Sequence, residues 1–99
     1  MSNIFEQGLL YDFYGELLTD HQKEVYEDLV YNNYSISEIA EEYNISRQAA
    51  SDLVKRINKL LESYENKLKL VEKFSNIKNK IMSLDSLSFE QKEELLKEL

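Results

Sequence analysis

The stretch "SISEIAEEYNISRQAASDLVKRINKLL", residues 35–61, decides the fold. Ser35 followed by Glu38 fits a capping box, in which a hydroxyl and a carboxylate satisfy the free N–H groups of a helix start. The helix it opens runs through Ile39, Ala40 and Tyr43. Asn44 then stands where the chain needs a positive φ, a conformation Asn tolerates better than other residues with a Cβ. Ile45 follows at once and is expected to plug the core between two helices. Ser46 is the expected N-cap of the next helix. Small Ala40 permits a close helix crossing, and Ala50 is spaced to pack back against it. Together Ala40, Asn44, Ile45 and Ala50 predict a helix-turn-helix, whose second helix enters a DNA major groove N-terminus first.

The exposed face of that second helix is expected to carry Ser46, Arg47, Gln48, Ser51, Asp52 and Lys55. Arg matches guanine O6 and N7, and Gln matches adenine N6 and N7. Arg56 and Lys59 lie further along and suit phosphates. Ser37, at the start of the first helix, suits a phosphate as well. These eight residues (Ser37, Ser46, Arg47, Gln48, Ser51, Lys55, Arg56 and Lys59) form the candidate DNA-binding set. Asp52 opposes it, because a carboxylate on a reading face repels phosphate, although it can accept from cytosine N4.

The chain has 99 residues and a formal net charge of −7, unevenly spread. Residues 1–46 carry a formal −9, residues 47–80 a formal +5 and residues 81–99 a formal −3. The only basic segment therefore begins where the reading helix begins, and local charge governs contact while net charge governs long-range steering.

Working outward, "IFEQGLLYDFYGELL" places Leu9, Leu10, Phe13, Tyr14, Leu17 and Leu18 on one helical face, with Gly15 as a weak point. Thr19 and Gln22 fit a second capping box, leading into a stripe of Val25, Tyr26, Leu29 and Val30. Downstream of Arg47 the apolar residues Ala50, Val54, Ile57, Leu61, Tyr64, Leu68 and Val71 follow a heptad rhythm. A break is expected near residues 73–76. A helix reaching Met82 would be about 54 Å long, too long for a small domain to bury alone. Two uses of the seam fit: packing on the Tyr- and Phe-rich N-terminal helices, or dimerisation. Ser88 and Gln91 form a third capping box, opening a last helix with an apolar edge of Phe89, Leu95, Leu96 and Leu99. The tyrosines are expected in the core, and the acids of residues 1–46 on a solvated surface.

No catalytic set is present. The sequence has no Gly-rich phosphate loop, no Ser-His or Cys-His pair and no metal cluster, so no enzyme, cofactor or metal site is expected. His21 reads as a surface residue. There is no Cys, hence no disulfide framework. No apolar run approaches the roughly 18 residues of a membrane span, and "MSNIFEQG" lacks the features of a signal peptide. A cytoplasmic location, with no membrane partner, is the expectation.

Residues 17–61, "LLTDHQKEVYEDLVYNNYSISEIAEEYNISRQAASDLVKRINKLL", resemble region 4 of the sigma-70 family. Over nearly its whole length the chain also resembles the YlxM family of small bacterial helix-turn-helix proteins, through "LYDFYGELLT", "LTDHQ" and "EIAEEYNISRQAASD" ahead of a long charged helix. The sigma resemblance implies that Arg47, Gln48, Ser51 and Lys55 occupy reading-helix positions. This sequence departs from the sigma pattern at Asn44, where that pattern has Gly, and at Asp52. The YlxM resemblance implies a link to the signal recognition particle pathway of protein export.

The expected architecture is all-α, a sigma-70 region 4-like bundle of five or six helices. Residues 1–62 would form the helix-turn-helix domain and residues 63–99 a helical extension for packing or dimerisation. The expected function is a DNA-binding regulator, bound to double-stranded DNA and a homodimer through its long helix, with a protein-export or transcription-machinery partner possible. The alternative is a protein-interaction module of helix-turn-helix fold that does not read DNA.

Overall fold

A computed structural model of the chain describes residues 4–98. Among the described residues there are six α-helices, one 3₁₀ turn and no strand, so the protein is all-α. The chain divides into two compact units, Met1–Leu68 and Lys69–Leu99. None of the described helices is long and apolar enough to cross a membrane.

The first unit holds α1 (Ile4–Tyr14), the 3₁₀ turn Gly15–Leu17, α2 (Asp20–Val30), α3 (Ile36–Glu42) and α4 (Arg47–Leu68). Its core is built from Leu10, Tyr14, Leu18, Val25, Tyr26, Ile39, Ala50, Ile57 and Leu61. Each element contributes the stripe its periodicity marked, because residues three and four apart share a helical face. One departure lies in α1. Gly15 ends the α-helix, and the tighter turn that follows buries Leu18 but leaves Leu17 55% exposed. A Cβ at Gly15 would come within 3.0–3.1 Å of the Tyr11 ring, so the glycine makes room for that ring.

The helix starts follow the capping pattern. Thr19 and Gln22 exchange backbone-to-side-chain bonds of 2.9 and 3.2 Å, and Ser35 and Glu38 exchange two of 3.1 Å. Both are complete capping boxes, each satisfying donors that a helix N-terminus would otherwise leave open.

The heptad seam is used unequally. Ala50, Val54, Ile57 and Leu61 are buried within the first unit, and Tyr64 is half-buried with its ring 6.1 Å from that of Tyr14. Leu68, next on the seam, is 46% exposed. The helix then ends at Leu68, short of the break expected at residues 73–76. Lys69 adopts a left-handed φ of 57°, while Ser75 and Asn76 are helical. A single αL residue terminates α4 without Gly or Pro, and Lys carries no sequence signature for that role.

The second unit is a helical hairpin of α5 (Leu70–Met82) and α6 (Phe89–Leu96). Ser88 and Gln91 complete the third capping box with bonds of 2.9 and 3.2 Å. The Lys92 ammonium donates to the Met82 carbonyl at 2.7 Å, satisfying an open acceptor at the end of α5. No residue of α5 or α6 is buried. Of the expected α6 edge, Phe89 and Leu95 are exposed and Leu96 is half-buried, while Leu99 lies outside the described residues.

Candidate nucleic-acid interface

The helix-turn-helix is formed by α3, the turn Tyr43–Ser46 and α4. Asn44 takes φ 54°, and the chain reverses through bonds from the Asn44 N–H to the Glu41 carbonyl (3.3 Å) and from the Ile45 N–H to the Ala40 carbonyl (3.0 Å). The Ser46 hydroxyl accepts from the Ala49 N–H at 3.0 Å, so Ser46 caps α4. Ala40 and Ala50 are buried, 6% and 0% exposed, on two helices that pack against each other.

Ile45 does not plug the core. It is 36% exposed, and Ile39, fully buried from α3, sits in the core instead. Ile45 lines an open groove with His21, Tyr43, Ala49, Asp52, Leu53 and Arg56. His21 is exposed, and its ring meets that of Tyr43 edge-on at 5.5 Å.

Of the candidate DNA-binding residues, Arg47, Gln48 and Ser51 line one shallow recess together with Ile36 at the start of α3. Ser37, next along α3, is exposed. Lys55 and Lys59 are exposed on α4, one and two turns beyond Ser51. Arg56 belongs to the neighbouring groove with Asp52. Ser46 is exposed, with its oxygen engaged as a cap. The Gln48 amide donates to the Asp52 carboxylate at 3.0 Å, so Asp52 holds the side chain beside it. Among the described residues, no group of His, Cys, Asp and Glu could hold a metal ion.

The scaffold behind this face is tied by tyrosine hydroxyls. Tyr14 donates to Glu65 at 2.5 Å, Tyr31 to Asp12 at 2.8 Å and Tyr43 to Asp28 at 2.6 Å. Tyr11 donates to Glu27, and Tyr26 to Asn58. These bonds engage part of the acidic N-terminal region. Asp12, Glu27 and Asp28 accept from tyrosines, Glu38 completes a capping box, and Glu16 pairs with Lys23 at 3.1 Å. Half of the ten acids in residues 1–46 therefore have identified internal partners, while eight of the ten, Asp12, Glu16, Glu27 and Glu38 among them, are exposed, as expected of a solvated surface. Partial burial, with the carboxylate bond second, raises the hydroxyls of Tyr11 and Tyr43 well above the usual tyrosine range and pushes Tyr31 up to about 12. Burial is also the main cause for Tyr26, followed by the charge of Glu62. Sequence spacing could not reveal these pairs, because the partners lie 15 to 51 residues apart.

A helix α4 capped by Ser46, preceded by a turn through Asn44 and paired with the short helix α3, defines a helix-turn-helix protein. The chain belongs to the UPF0122 family, whose model, described as "Putative helix-turn-helix protein, YlxM / p13 like", matches residues 1–99. It is similar to a UPF0122 protein of Acetivibrio thermocellus, 45% identical over 84 residues, which are 85% of this chain and 72% of that one. It is also similar to the UPF0122 protein YlxM of Bacillus subtilis, 48% identical over 86 residues, 86% of this chain and 77% of that one. A UPF0122 protein of Thermoanaerobacter sp. is 51% identical over 73 residues, 74% of this chain but only 62% of the relative. The chain thus spans under two thirds of some relatives it matches.

Proposed function

We propose that this protein is a non-enzymatic, cytoplasmic DNA-binding regulator that lays the N-terminal half of α4 in the major groove. The observation that carries the reading is the recess shared by Arg47, Gln48, Ser51 and Ile36, held in place by the Asn44 turn and the Ser46 cap. Arg47 and Gln48 supply donors for base edges, and Lys55, Arg56, Lys59 and Ser37 supply phosphate contacts. The local charge of residues 47–80, a formal +5, supports binding against the acidic remainder. So few basic contacts per copy give weak, salt-sensitive binding, which a two-fold dimer strengthens by placing two reading helices about 34 Å apart. The link to the protein-export pathway rests on the family resemblance.

NMR tests the reading. Titration of the labelled protein with duplex DNA at low salt should shift amide signals of Ser37 and of residues 46–59. Shifts confined to other elements, or none, contradict it.

A second reading is favoured by the groove of His21, Tyr43, Ile45 and Leu53, which opens apolar side chains beside Asp52. In that reading the helix-turn-helix is a protein-interaction module, with its partner in transcription or export machinery seated on this groove. Shifts in response to such a partner, with none to DNA, would favour it.

A further inference from the structure

The second unit spans 31 residues and buries none of the residues of its two helices. A unit well below about 40 residues rarely holds a fold without an added constraint. Helices of 13 and 8 residues are likewise marginal on propensity alone, since isolated helices need roughly 12–15 residues or more. Yet the hairpin exposes large apolar side chains: Ile77 42%, Met82 38%, Leu84 44%, Phe89 67% and Leu95 44%. The α4 seam is not available in their place, because Ala50, Val54, Ile57 and Leu61 are spent inside the first unit.

Charge on the hairpin points to what covers it. The basic helix is α5, with Lys73, Lys78 and Lys80 against Glu72, a formal +2. The acidic helix is α6, with Glu90, Glu93 and Glu94 against Lys92, a formal −2. At 100° per residue, Lys73 and Lys80 lie about 40° and 60° to one side of Ile77 on α5, and Glu93 lies about 40° from Phe89 on α6. A two-fold axis brings a surface against itself, so one helix of each sign makes the hairpin self-complementary.

We propose that the α5–α6 hairpin pairs with the same hairpin of a second copy of this chain, basic α5 against acidic α6, with the exposed apolar residues between them. The inference rests on the dimer in the proposed function and gives it a surface.

The test uses sedimentation equilibrium of the full chain without DNA, so its outcome is separate from that of the reading-helix account. The wild type should dimerise. Lys73→Glu/Lys80→Glu makes both helices acidic, and Glu90→Lys/Glu93→Lys makes both basic, so each variant should self-associate at least about tenfold more weakly. Mixed in equal amounts, the two variants should form a heterodimer, because each acidic α5 then meets a basic α6. Retained thermal unfolding of the first unit shows that the variants are folded. A monomeric wild type, variants that dimerise as the wild type does, or a mixture that stays monomeric would each overturn the proposal.

Discussion

Gln48 and Asp52 lie one helical turn apart on α4, and the Gln48 amide donates to the Asp52 carboxylate at 3.0 Å. Asp52 therefore has two opposing effects on the face proposed to read DNA. It orients a side chain suited to adenine, and it places a negative charge three and four residues from Lys55 and Arg56 on the same helix. Asn at position 52 keeps the acceptor and removes the charge. Asp52→Asn should tighten binding to duplex DNA by roughly two- to tenfold at low salt, since it relieves repulsion from phosphate. Anisotropy titrations check this, and unchanged affinity would favour the protein-interaction reading.

Asn44 and Lys69 hold left-handed backbone at φ 54° and 57°. Asn bears that conformation at lower cost than Ala, and Gly bears it at none from a Cβ. Asn44→Ala should lower stability by about 1 kcal/mol, with Asn44→Gly near neutral. Lys69→Gly should leave stability unchanged or raise it by up to about 1 kcal/mol. Urea denaturation of the three variants gives the comparison.

Tyr14 and Tyr26 are 1% and 0% exposed, and their hydroxyls donate to Glu65 and Asn58. Each Tyr→Phe change removes one hydrogen bond from a partly buried acceptor. A loss of about 1–3 kcal/mol is expected for either. A loss below a few tenths would mean that the tyrosines act only by filling space.

Alkaline pH should unfold the protein, while the neutral range should not. The hydroxyls of Tyr11, Tyr26 and Tyr43 are held above the usual tyrosine range, and that of Tyr31 is pushed up to about 12. The unfolded chain releases these protons near pH ~10. A raised folded value means that the neutral hydroxyl stabilises the fold. Its full contribution is present below pH ~10 and is lost as pH rises through the folded values. Thermal midpoints should fall steeply above pH ~10, with tyrosinate absorbance rising as the fold is lost rather than before it.

The elements legible in the sequence are those fixed by local chemistry. Three capping boxes, the Asn44 turn, the Ser46 cap and the small residues Ala40 and Ala50 each depend on neighbours within a few positions, and all are present. What could not be read depends on distant partners. Ile45 looks like a core residue until Ile39 is seen in the core. The acids of the N-terminal region face solvent as expected, but the tyrosine bonds to Asp12, Glu27 and Asp28 could not be read from spacing. The end of α4 falls at Lys69, where no Gly or Pro announces it. Within the candidate interface, spacing placed Arg47, Gln48 and Ser51 on one side of α4, but the separation of Arg56 into the groove with His21 and Tyr43 required the packing of α2.

The central claim, that the start of α4 contacts DNA, is tested most directly by the salt dependence of binding. Affinity of the wild type and of Arg47→Ala/Lys55→Ala for a random duplex pool is measured by fluorescence anisotropy across a series of salt concentrations. The account predicts that the wild type binds at low salt, that affinity falls linearly in log–log form, and that the double variant binds more weakly, with its slope reduced by about 1 through loss of the Lys55 phosphate contact. Wild-type binding with an unchanged slope in the variant, or no binding at low salt, would contradict it.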